Sequence, residues 1–110
     1  MINIYMVTRM SESKNDVPNL GMHFTFADAE DHFMSILEDR RGKGRQYKCK
    51  IEWVRECEPD KTMPSNVIRE AYIKHPKGKY QDAYVEMLRI EQYTKRVNPS
   101  FLKSLFLESL

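Results

Sequence analysis

Two cysteines, four glycines and a single tryptophan are all this 110-residue chain contains of those residues, and its apolar runs are only a few residues long. Each scarcity excludes something. Neither Cys49 nor Cys57 has a CxxC partner, which removes zinc-ribbon and thioredoxin-like readings. Both fall in one segment that reads as extended, where eight residues separate their Cα atoms by roughly 26 Å. A disulfide needs less than about 7 Å, so two buried, reduced thiols and a cytoplasmic setting are expected. None of the glycines stands in a GxGxxG or GxxxxGKS arrangement, which leaves no phosphate-cradling loop. The apolar runs fall far short of the roughly 20 residues that span a bilayer, so no membrane partner is expected. Met1-Ile2-Asn3-Ile4-Tyr5 lacks the basic start of a secretory signal. An excess of one charge is missing too. Eighteen Lys and Arg against 16 Asp and Glu give +2, with no large uniform field to dictate a polyanionic partner.

What is present suffices for one modest core: 41% of residues are hydrophobic and 31% charged. A single domain over 1–110 is expected, with a β-β-α-β portion over 1–58 and a helical portion over 62–110. Residues 2–10 read as a strand apolar on both faces, which belongs inside a sheet. A short strand over 22–25 leads into a helix over 26–40. Thr25 and Asp28 form a variant capping box there, and Phe26, Ala29, Phe33, Ile36 and Leu37 make one stripe. Gly42 and Gly44 stop that helix. From 45 to 57, Tyr47, Cys49, Ile51 and Trp53 alternate with Gln46, Lys48, Lys50 and Glu52, the period of a half-buried strand, until the phase breaks at Val54 and Arg55. Beyond residue 62, Val67, Ile68, Ala71 and Tyr72, then Tyr80, Ala83, Tyr84, Met87 and Leu88, recur at helical spacing. A short terminal helix follows Ser100. The fold class expected is α+β, a small antiparallel sheet packed by the 26–40 helix and followed by a helical C-terminal half.

Catalytic motifs are absent. There is no GxSxG, HExxH or HxH, and neither cysteine has a recognisable catalytic neighbourhood in sequence. Glu56 and Glu58 flank Cys57, where negative charge raises a thiol pKa. No metal, cofactor or enzymatic activity is therefore expected. An unrecognised enzyme would need a pocket converging on His23, His32 or Glu52.

Two basic segments are more informative. Arg40, Arg41, Lys43, Arg45, Lys48 and Lys50 carry no acidic residue among them. They form a patch able to meet phosphates, or serve merely as helix-end charges and a protected strand face. His75, Lys77 and Lys79 form a second cluster, which either extends the first or lies opposite it. Tyr84 is a candidate apolar anchor with a wet end.

The tail, Phe101 to Leu110, has six large apolar residues in ten. A helix that short must dock on its own domain, on a partner or on a second copy, and the last route would make a homodimer. Its Ser104-Leu105-Phe106 run resembles the C-terminal sliding-clamp-binding peptides of tailed-phage replication proteins, which place a Ser-Leu-Phe unit before further hydrophobics. That likeness implies a tail used for docking. The expectation is a small non-enzymatic adaptor or inhibitor that occludes a protein partner with an acidic surface, in the manner of a phage host-takeover protein. Tyr84, Leu105 and Phe106 would be its anchors, and the basic patch would steer it. The alternative is a nucleic-acid-binding regulator that uses the 40–50 patch.

Overall fold

The computed structural model describes residues 2–11, 18–42, 48–58, 66–80 and 82–95. Five strands and one helix follow in the order β1 (Ile2–Ser11), β2 (Asn19–His23), α1 (Phe26–Arg40), β3 (Lys50–Glu56), β4 (Val67–His75) and β5 (Tyr84–Lys95). The strands form one sheet in the order β2-β1-β5-β4-β3, and every neighbouring pair is antiparallel. The α+β class therefore stands, as does an inner position for β1.

The helical C-terminal half does not. Residues 67–75 and 84–95 are strands, both paired on two sides. A strand inside a sheet has half-buried positions on both faces, so its apolar residues need not alternate strictly. In β5, inward-facing Glu86 interrupts the inward apolar set of Leu88 and Ile90, while Val85 and Met87 face outward. The resulting spacing imitates a helical stripe. β-Branched Val67, Ile68, Ile73, Val85 and Ile90 supply the opposite preference, and pairing with β1 and β3 settles it. The short terminal helix expected after Ser100 lies outside the described residues.

Smaller differences concern strand limits. The second strand runs from 19 to 23 rather than 22 to 25, and β3 occupies 50–56 of the expected 45–57. Positions 48 and 49 lie before that strand, while 43–47 lie outside the described residues. The register of β3 shifts between Ile51 and Trp53, slightly earlier than the break expected at Val54. That shift turns Trp53 away from the core, where it stacks on Tyr72 with ring centroids 5.6 Å apart.

The helix begins where its sequence says. Thr25 is the N-cap and its hydroxyl accepts a hydrogen bond from the Asp28 amide at 3.2 Å. Ala29, Phe33 and Leu37 are buried against Val7, Ala71, Ile73, Leu88 and Ile90, which makes one core on one face of the sheet. Gly42 follows the helix at φ +102°, a left-handed conformation suited to glycine. A β-carbon there would lie 2.5 Å from Lys48 Cγ, so the chain returns tightly over the helix end. Across the other face, Met10, Met87, Tyr72 and Trp53 stand in register on four successive strands. No helix among the described residues is long and apolar enough to cross a membrane.

Candidate functional site

The cationic residues of β3 and β4 meet at one end of the sheet. Antiparallel pairing puts Lys50 directly opposite Lys74, an unfavourable placement of like charges. Glu52 relieves it by bridging both ammonium groups, at 3.2 Å to Lys50 and 3.3 Å to Lys74. Hydrogen bonds from Lys50, then from Lys74, hold the Glu52 carboxyl below the usual range. One carboxylate thus serves two lysines. Exposed Lys48, just before β3, adds a third cation at the same end.

These three lysines rim an open groove of about 400 Å³, within the size range of small-ligand sites. Pro76, Ala83 and Val85 give it apolar walls, and His75 and Tyr84 complete the lining. The His75 and Tyr84 rings stack at 4.1 Å between centroids and 9° between planes. The groove therefore brings together Lys48 and Lys50 from the first basic segment, His75 from the second, and Tyr84. Lys74 was not singled out by sequence reasoning. Only the register of β3 against β4 reveals it.

Behind this rim lies a buried polar chain. Arg40 belongs to it rather than to the surface patch in which the sequence places it. It ends the buried helical stripe, and Nε and Nη2 donate to the two Glu86 carboxylate oxygens at 2.8 and 3.1 Å. Its Nη1 donates to Asp39 at 2.7 Å. Hydrogen bonding to Glu86 raises the Arg40 guanidinium above its ordinary value, against burial, which lowers it. Arg9 approaches Glu86 at 3.5 Å from β1. His75 Nε2 stands 3.0 Å from Glu86 Oε1, and its Nδ1 stands 3.2 Å from Cys49 Sγ. Burial pushes the Glu86 carboxyl up, but hydrogen bonds from His75 and Arg40 outweigh it and hold the group at about 2.

The remaining candidates are dispersed. Arg41 pairs with Glu38 on the helix surface. Lys43, Arg45, Leu105 and Phe106 lie outside the described residues. His23 and His32 contact each other, Nε2 to Nδ1, at 2.9 Å between β2 and α1, whereas Glu52 lies on β3 at the opposite edge of the sheet. Burial, then the charge of His23, lowers the His32 pKa. Two of these three residues thus lie together and the third lies apart from them. Among the described residues, no group of three or more His, Cys, Asp or Glu could hold a metal ion.

Neither cysteine forms a disulfide. Cys57 has a raised pKa, as its sequence neighbours suggest, but the causes differ. Burial comes first, then Glu70 on the adjacent strand, whose Oε1 accepts from Cys57 Sγ at 3.3 Å. Compared with family models, curated proteins and solved structures, the chain matches none of the three, so the groove is read from its own chemistry.

Proposed function

We propose that this chain is a small non-enzymatic binding protein that takes an acidic segment of a protein partner into the groove between Lys48, Lys50 and Lys74, and thereby occludes it. The observation that carries this reading is the meeting of three lysines, from segments about 25 residues apart, around a tyrosine-walled groove. Two of them share a single carboxylate. An incoming glutamate or aspartate would relieve the same like-charge opposition that Glu52 relieves, while Tyr84 and Pro76 give the partner chain an apolar surface. Arg40 plays no direct part, because its charge is spent on Glu86 and Asp39. The apolar tail adds Leu105 and Phe106 as further anchors, in keeping with its resemblance to phage docking peptides.

Phosphates would also meet three lysines favourably, so nucleic acid is the competing ligand. Fluorescence anisotropy with a glutamate-rich peptide and with single-stranded DNA and RNA of equal charge separates the two. The peptide is expected to bind, with affinity falling roughly tenfold between about 50 and 200 mM salt. Oligonucleotide binding without peptide binding would transfer the groove to the nucleic-acid reading.

A further inference from the structure

One cluster of nucleophilic and titratable groups meets the groove at His75 and carries chemistry that binding an acidic segment does not use. Cys49 Sγ, the His75 ring and the Glu86 carboxylate stand in line, at 3.2 Å and 3.0 Å. Thiol, imidazole and carboxylate in that order meet the geometric requirement for an activated nucleophile. The imidazole takes the thiol proton, and the carboxylate fixes the imidazole's orientation. Cys49, His75 and Glu86 are only 7%, 3% and 2% exposed, so the arrangement is fixed by packing and not by chance surface contact. Arg40 from α1 and Arg9 from β1 lock the carboxylate, and Tyr84 stacks on the imidazole. His75 itself lines the groove, and Lys48 and Lys50, the chain neighbours of Cys49, form its rim. The sulfur therefore lies behind the lining, in contact with it through His75, and the imidazolium formed when His75 takes the proton is the setting that favours a thiolate.

We infer that Cys49 is a modification site, a thiol oxidised by small peroxides through the groove, with His75 as its base and Glu86 as the group that positions His75. In the step proposed, His75 removes the Cys49 proton and the sulfur attacks one peroxide oxygen. The O–O bond breaks as the S–O bond forms. Sulfur gives up two electrons and the peroxide accepts them. The departing hydroxide takes the proton held by His75 and leaves as water, so thiol and hydrogen peroxide yield sulfenic acid and water.

Cys57 serves as an internal reference. Its sulfur faces Glu70, and burial and that carboxylate both disfavour its thiolate. The wild-type chain is treated with hydrogen peroxide and dimedone, and in parallel with iodoacetamide over about pH 5 to 10, and each cysteine peptide is quantified by mass spectrometry. Cys49 is expected to carry most of the dimedone adduct. Its alkylation rate should also level off at lower pH than that of Cys57. His75→Gln, checked for native tryptophan fluorescence, should slow Cys49 alkylation by about tenfold or more. Because the two cysteines are compared within one wild-type protein, the result stands even if the variant fails to fold. An unmodified Cys49, or one that follows the rate and pH profile of Cys57, would overturn the assignment.

Discussion

Replacing Glu86 with alanine is expected to cost about 3–5 kcal/mol of folding stability, read as a lowered midpoint in chemical denaturation. The carboxylate is buried and receives Arg40 twice, His75 once and Arg9 at longer range. Without it the Arg40 guanidinium, 11% exposed, keeps Asp39 alone among the described residues, and His75 loses its acceptor. That penalty is a large share of the roughly 5–15 kcal/mol that a small domain possesses. Acid should produce the same weakness in the wild type. The Glu86 carboxyl is held at about 2 in the fold, against about 4.3 in an unfolded chain. A depressed carboxyl stabilises the fold above the unfolded value, and its contribution disappears as pH falls from about 4.3 through about 2. The alanine variant should lose that portion of the acid dependence. A loss below about 1 kcal/mol would show that Arg40 finds water instead.

The second large effect concerns binding. Changing Lys48, Lys50 and Lys74 together to glutamine is expected to weaken the acidic peptide by about 100-fold or more, since each charge-assisted hydrogen bond contributes about 1.5–3 kcal/mol. Stability should move by less than about 1 kcal/mol, because all three ammonium groups face solvent. Retained peptide affinity in the triple variant would remove the groove from the account. An equal loss of stability and affinity would mean the lysines support the fold instead.

Sequence reasoning reached the parts of this molecule whose signals are local. The Thr25 cap, the Ala29-Phe33-Leu37 stripe and the two-faced apolar β1 all depend on neighbours within a few residues. Arg40 continues that buried stripe one turn past Leu37, but its charge directs attention to the surface, and sequence reasoning placed it in the exposed patch. The strands β4 and β5 were not legible. Half-burial on two faces, with Glu86 and His75 among the inward positions, removes the alternation that marks a strand. Lys48, Lys50 and Tyr84 could be named from the sequence, yet their meeting with Lys74 could not. The facing of Lys50 and Lys74, and of Cys49 and His75, depends on how β3 and β4 align, and the register shift after Ile51 moves that alignment. No pattern within either strand encodes it.

The central claim is that an acidic protein segment occupies the groove at the β3–β4–β5 end of the sheet. Backbone amide resonances recorded during titration of the wild-type chain with a glutamate-rich peptide test it most directly. The account predicts shifts concentrated at Lys48 to Lys50, Lys74, His75 and Ala83 to Val85. Shifts confined to β2 and the outer side of α1, with those amides unmoved at saturation, would contradict it.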